Sequence, residues 1–213
     1  AVTRRHNRAS VLCEGKVVAH YDKRELPNYQ VFDERRYFMP GQGVGVFEVE
    51  GVRVGLLICE DAWFDEPARL ARDAGAQVLA VLNASPFHAG KGAEREQRMR
   101  ERVADCGLSL IYAHLVGGQD EVIFEGRSFA LNGQGQVVAR AEGFREADMA
   151  VQVAPSAADH KGLDLTAEAH ALVPLATPDA ELWDALVLGV RDYLGKNGFK
   201  GAILGLSGGI DSA

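Results

Sequence analysis

Short apolar runs separated by polar pairs recur through most of the chain, and their length and β-branched content predict strands alternating with a few helices. Residues 9–12 and 16–21 flank Glu14-Gly15, and residues 46–49 and 52–58 flank Glu50-Gly51, so each pair reads as a hairpin. The polar stretch 23–38, broken by Pro27 and Asn28, predicts an extended loop leaving a strand end. Within 54–64, VGLLICEDAWF, a buried strand stops abruptly at Cys59, Glu60 and Asp61. Residues 67–74 predict a short helix closed by Gly75, and 78–82 a buried strand that stops at Asn83-Ala84-Ser85-Pro86. In 94–106 the apolar Met99, Val103 and Cys106 share one narrow helical face, which leaves the Arg and Glu residues as a solvated surface. A strand at 108–113 and a hairpin of 128–131 with 137–140 follow.

After about residue 153 the pattern fades, and 154–177 reads as an interdomain connection. Thr177-Pro178 then opens a helix, with Asp179 and Glu181 near its positive end. Its apolar stripe is Leu182, Leu186, Gly189, Val190, Tyr193 and Leu194, and Asn197-Gly198 closes it. Residues 202–206 predict a buried strand running into Ser207-Gly208-Gly209-Ile210-Asp211-Ser212.

Composition narrows the class. The 213 residues are 47% hydrophobic and 25% charged, an ordinary globular balance with room for one domain and part of another. Lys plus Arg number 23 against 30 for Asp plus Glu, a net charge of -7 with no basic stripe, which argues against a nucleic-acid partner. Cys13, Cys59 and Cys106 form no C-x-x-C pair, which fits a reducing compartment, the cytoplasm by default, and neither a disulfide framework nor a metal site. No run approaches a membrane span, and the opening AVTRRHNRAS has no apolar signal region. A chain that starts at Ala1 without Met and stops inside a Gly-rich motif reads as a piece of a longer protein.

Two stretches carry candidate chemistry. A thiol where a strand stops, followed by a turn that presents backbone N–H groups, suits attack on a carbonyl and stabilisation of the oxyanion; the competing reading of Cys59 is a small buried hydrophobe. Ser-Gly-Gly after a strand makes a nest for phosphate oxygens, without the lysine that a Walker loop needs; the competing reading is a tight turn.

The string GLSGGIDSA resembles the signature of the ATP pyrophosphatases, and ICEDAW at 58–63 resembles the nucleophile motif of the nitrilase, or carbon-nitrogen hydrolase, superfamily. Together with LPNYQVFDERRYF, NASPF and GGQDE they resemble the glutamine-dependent NAD(+) synthetases, in which a nitrilase-type glutaminase is fused to an ATP-pyrophosphatase synthetase. The resemblance implies an α/β fold: the C-terminal part of an αββα sandwich over 1–155, a linker over 156–177, and over 178–213 the first helix and strand of a doubly wound ATP-binding domain. It makes Cys59 the nucleophile, Lys23 the catalytic lysine and Glu34 a carboxylate that positions lysine and substrate, though Glu34 also reads as an exposed loop acid. Tyr29, Glu60, Trp63 and Ser85 would line the glutamine pocket, with Trp63 equally readable as core filler and Ser85 as a cap before Pro86. The general-base glutamate of that family would lie upstream of Ala1. Ser207, Gly208, Gly209, Asp211 and Ser212 would cradle ATP, with Mg²⁺ ligands outside the chain. Glutamine and nicotinic acid adenine dinucleotide are the implied substrates, and a homo-oligomer the implied assembly. His114 departs from the family's Asn and reads as a core residue. A free-standing nitrilase-type amidase and an inactive relative serving as a binding module are the alternatives.

Overall fold

The computed structural model describes residues 5–155, 163–168 and 171–210. Strands β1 (Arg8–Cys13) and β2 (Lys16–Asp22) form the first hairpin, with Glu14 and Gly15 both at positive φ as a two-residue turn requires. The loop that follows carries a single short helix, α1 (Glu34–Tyr37). Next come β3 (Gly45–Val49) and β4 (Val52–Ile58), a 3₁₀ turn over Cys59–Trp63, helix α2 (Asp65–Asp73) and β5 (Val78–Asn83). Helix α3 (Lys91–Cys106) and β6 (Ser109–His114) complete a second crossover. The chain continues through β7 (Val116–Gln119), β8 (Val122–Glu125), β9 (Phe129–Leu131), β10 (Val137–Arg140), β11 (Gln152–Pro155), β12 (Leu163–Thr166) and helix α4 (Pro178–Lys196).

Six strands make one mixed sheet in the order β10-β9-β6-β5-β4-β3, with β4, β5 and β6 parallel and the outer pairs antiparallel. Alternation decides the two faces. Leu57, Leu79, Val81, Leu110, Tyr112, Phe129 and Leu131 point to α2 and α3, where Ala68, Ala71, Met99, Val103 and Cys106 meet them. On the opposite face Leu56 and Ile58 pack against Tyr21 with Ala9 and Val11 of the first hairpin, while Val78, Ala130 and Ala139 pack against Leu165 of β12. A helical layer, a sheet and a second β layer follow one another, as in the C-terminal part of an αββα sandwich. Ile58 lies beside Leu82 and Asn83 beside His114, so the three parallel strands finish together at one edge.

The fold differs from the sequence reading in its connection, in one hairpin, in the face of its last helix and in its last strand. Part of 154–177 is folded: β12 pairs with β11, and Leu165 is wholly buried against the sheet, because one leucine at the right register can close a core that no periodic pattern announces. The hairpin of β7 and β8 was hidden by its glycines, which weaken any strand signal. Helix α4 is as predicted in extent, with the Thr177 hydroxyl capping Ala180 N–H at 3.4 Å, but it buries Ala185 and Leu188 and leaves Leu182, Leu186 and Val190 exposed. Residues 202–206 form no strand and are exposed, since among the described residues no strand pairs with them.

Helix α4 docks on the β7–β8 hairpin through Ala185 and Leu188, which join Phe144, Phe87, Val116 and Ile123. A Cβ on Gly118 would lie 3.2 Å from Asp192 Cβ, and one on Gly189 3.0 Å from Ile123 Cδ1, so a side chain at either position would make the neighbour shift by a few tenths of an ångström. The Asp192 carboxylate accepts Gly118 N–H at 2.7 Å, Lys196 donates to Gly118 O, and Arg127 pairs with Glu181.

Candidate active site

The shared edge of β4, β5 and β6 puts Cys59, the Asn83-to-Ser85 segment and His114 side by side. Cys59 takes φ 48°, a left-handed conformation that costs a non-glycine residue about 1–2 kcal/mol and is held here by its surroundings. The chief restraint is Asp61, which is wholly buried. Its carboxylate accepts Ile58 N–H at 3.0 Å, Arg24 N–H at 3.0 Å, Glu25 N–H at 2.8 Å and the Tyr21 hydroxyl at 3.0 Å. One side chain thereby ties the turn carrying Cys59 to the segment carrying Lys23.

Lys23 is 1% exposed, and its Nζ donates to Glu34 Oε1 at 2.7 Å. Glu34 Oε2 is buried without a hydrogen-bond partner. Lys23, Glu34 and Cys59 line one cavity of about 500 Å³, together with Asn83 and His114. Cys59 also lines a smaller cleft of about 60 Å³, with Tyr29, Glu60, Trp63 and Ser85, that holds Pro86, His88 and Lys91 as well. Cys59 therefore belongs to the lining of both hollows.

Electrostatics at the sulfur are a contest. Burial pushes the Cys59 thiol up, while the Lys23 ammonium and the Ala84 N–H pull it down; burial wins, and the resting group is the thiol rather than the thiolate that the lysine alone would favour. Glu60 is likewise raised by burial, opposed by the Tyr29 hydroxyl, which donates to its oxygens at 2.9 and 3.0 Å. The Lys91 ammonium stands 4.3 Å from the centroid of the Trp63 ring, a cation on a π face, so Trp63 is a cleft residue and not core filler.

Nothing local in the sequence marks Lys91 or Asp61 as a site residue. Lys91 begins α3 three residues earlier than the apolar pattern shows, and Asp61 sits in plain view within ICEDAW but reads as one more polar residue of a turn. The solvated-face reading of α3 also fails in part: Arg95, Glu96 and Arg102 are buried, because the helix lies close enough to the sheet for Arg95 to pair with Glu125, and Glu96 with Arg140 at 2.6 Å.

His114 is buried, with Nδ1 2.7 Å from Leu115 O. Burial, with Arg95 adding to it, pushes the imidazole down to about 4. A folded value below the unfolded one means that acid favours the unfolded state. We expect about 3 kcal/mol of stability, complete above pH 6.5, to be lost as pH falls to about 4. Denaturant titrations of the intact protein at pH 7 and pH 4.5 check this, with His114→Asn expected to flatten the difference.

Of the phosphate-loop residues, Ser207, Gly208 and Gly209 are described and exposed, whereas Asp211 and Ser212 lie outside the described residues. Gly208 has φ 79° with nothing within 4 Å of a Cβ, and Gly209 N–H donates to Ser207 Oγ at 3.4 Å. Among the described residues no cluster of His, Cys, Asp and Glu suits a metal ion, and no helix is long and apolar enough to cross a membrane.

Comparison with known proteins places this geometry. Residues 182–213 match the NAD synthase family. The glutamine-dependent NAD(+) synthetase of Xylella fastidiosa (strain 9a5c) is 45% identical over 210 residues, which are 98% of this chain and 38% of that protein. The enzyme of the same name from Acinetobacter baylyi is 41% identical over 209 residues, 98% of this chain and 37% of that protein. The chain thus spans less than two fifths of the length of these relatives. Among solved structures, a glutamine-dependent NAD+ synthetase from Acinetobacter baumannii in complex with adenosine diphosphate superposes with a TM-score of 0.84 at 38% identity, covering 98% of this chain and 38% of that one. A mutant of the Nesterenkonia AN1 amidase from the nitrilase superfamily gives 0.55 at 25% identity, covering 84% of this chain and 58% of that one. Residues 3–158, which hold the whole six-stranded sheet and the Lys23, Glu34 and Cys59 cavity, match the carbon-nitrogen hydrolase family, and the chain belongs to that family.

Proposed function

We propose that this chain carries the nucleophile half of a glutaminase, and the entry of the ATP-dependent synthetase that uses its ammonia to amidate nicotinic acid adenine dinucleotide. The observation that carries the reading is that Cys59 lines two hollows at once. Lys23 and Glu34 share one hollow with Cys59, while Tyr29, Glu60, Trp63, Ser85 and Lys91 share the other. In this reading the cleft takes the side-chain amide, and Lys91 meets the carboxylate of the amino acid at its mouth.

Cys59 Sγ attacks the amide carbon as its proton passes to a base, and the carbonyl oxygen becomes an oxyanion that the Lys23 ammonium stabilises. The C–N bond then breaks, ammonia leaves after protonation of its nitrogen, and water hydrolyses the glutamyl thioester to glutamate. Because the resting sulfur is protonated, the base is indispensable; Glu34 holds the lysine through Oε1, and its buried, unpartnered Oε2 is placed to help order the substrate. ATP, bound as a magnesium complex, supplies activation of the carboxylate to be amidated, and Ser207, Gly208 and Gly209 would meet its phosphates, with Asp211 and Ser212 beside them. The hydrolase part extends over 1–155 and takes in β12, the connection lies within 156–177 and the synthetase entry covers 178–213, in a cytoplasmic protein. The specific docking of α4 on the β7–β8 hairpin favours this fusion over a free-standing amidase.

The test is covalent. Incubating the intact protein with 6-diazo-5-oxo-norleucine is expected to add one label per chain at Cys59, with glutamine protecting; an unmodified Cys59 would return the chain to the inactive binding module.

A further inference from the structure

Packing against the sheet does not account for the Arg95 guanidinium. It is 2% exposed in the first turns of α3, and Nη1 donates to Glu125 at the end of β8. Its other donors converge on the segment that closes β5. Nη2 and Nε reach Ser85 Oγ at 2.9 and 3.2 Å, and Nη2 also reaches Ser85 O at 3.3 Å and Pro86 O at 3.2 Å. Asn83 Nδ2 donates to the same hydroxyl at 3.0 Å. A hydroxyl oxygen has two lone pairs, and here Arg95 and Asn83 occupy both. What Ser85 can still offer is its proton, and Ser85 lines the cleft beside the sulfur.

We propose that Arg95 is a positioning residue for amide hydrolysis: by saturating Ser85 Oγ it makes Ser85 an obligate hydrogen-bond donor toward an acceptor oxygen of the substrate. This rests on the glutaminase reading of the cleft. Glu125 is the counterweight. Its carboxylate aims the fork from the far side, so specificity for a substrate with an oxygen acceptor is set by a residue remote from the ligand. Lysine cannot replace the fork, since one ammonium cannot span Glu125, the Ser85 hydroxyl and two carbonyls.

The experiment uses Arg95→Lys, Ser85→Ala and the double variant in the intact protein. Arg95→Lys keeps a positive charge opposite Glu125. Its KM for glutamine is expected to rise about tenfold or more while kcat changes less than about threefold and the melting temperature stays near the parent's. Ser85→Ala is expected to raise KM similarly, and the double variant to add little to either, because Arg95 acts through Ser85. An unchanged KM with a lowered melting temperature, or effects that simply add, would overturn the proposal and leave Arg95 as a structural ion pair. Should Arg95→Lys not fold, the paired replacement Arg95→Met with Glu125→Leu removes both buried charges together; a raised KM supports the proposal and a parental KM overturns it. Failure of the glutaminase reading itself shows in the parent, which would neither hydrolyse glutamine nor be labelled at Cys59, whereas failure of the Arg95 proposal shows only in the variants.

Discussion

Cys59→Ser in the intact protein is expected to abolish the proposed glutamine hydrolysis, lowering kcat by about 10⁴-fold or more, while the fold is retained. The expected size follows from the nucleophile's place in the sequence of bonds. Without sulfur no thioester forms, and a serine hydroxyl at this position has only the hydrogen bonds that serve the thiol. Ala84 N–H and the Lys23 charge lower the cost of a thiolate at a site where burial opposes it, and they are too weak to ionise an alcohol. The measurement is single-turnover glutamate release, with a thermal melt beside it. A melting temperature within a few degrees of the parent's separates lost chemistry from lost structure, because Asp61 and its four donors, which hold residue 59 at positive φ, are untouched. Substantial turnover in Cys59→Ser would sink the thioester route.

Lys23→Met is expected to cost about 10² to 10³ in kcat, the loss of one well-aimed oxyanion donor together with its charge. It also strands Glu34, whose side chain is 17% exposed against 1% for the lysine. Breaking a fully buried pair costs about 3–5 kcal/mol, and the partial access of water to Glu34 reduces the expectation here to about 2 kcal/mol. The two effects separate in the double variant Lys23→Met with Glu34→Gln. Stability is expected to return, since a neutral amide tolerates the site, while activity stays low. Denaturant melts and kcat values of the three variants check it, and a double variant that recovers activity would show that Lys23 is needed only to neutralise Glu34.

Read from the chain alone, the elements that carry a strong local signal are all present. Both hairpins with a Glu-Gly turn, the strands at 52–58 and 78–82, and the capped helix from Pro178 depend on periodicity, on φ preferences and on an N-cap, which are properties of neighbouring residues. Cys59 at a strand end was legible for the same reason. So were Tyr29, Glu60, Trp63 and Ser85 as companions, through the family strings that contain them, and the structure gathers all four at one cleft.

What only the tertiary structure decided is which charges are buried and against what. Arg95, Glu96 and Asp61 look like surface residues in the sequence because nothing local distinguishes a solvated guanidinium or carboxylate from one whose partners arrive from another strand. Glu125 lies far along the chain from Arg95, and Tyr21 from Asp61; only the packing of the β7–β8 and β1–β2 hairpins brings them together. The face that α4 buries was likewise undetermined, because an apolar stripe says that a helix will bury something and not which side a hairpin with two glycines will admit. The strand at 202–206 shows the same limit from the other direction: hydrophobicity proposes a strand, but a ladder of hydrogen bonds needs a neighbour, and pairing is decided in three dimensions.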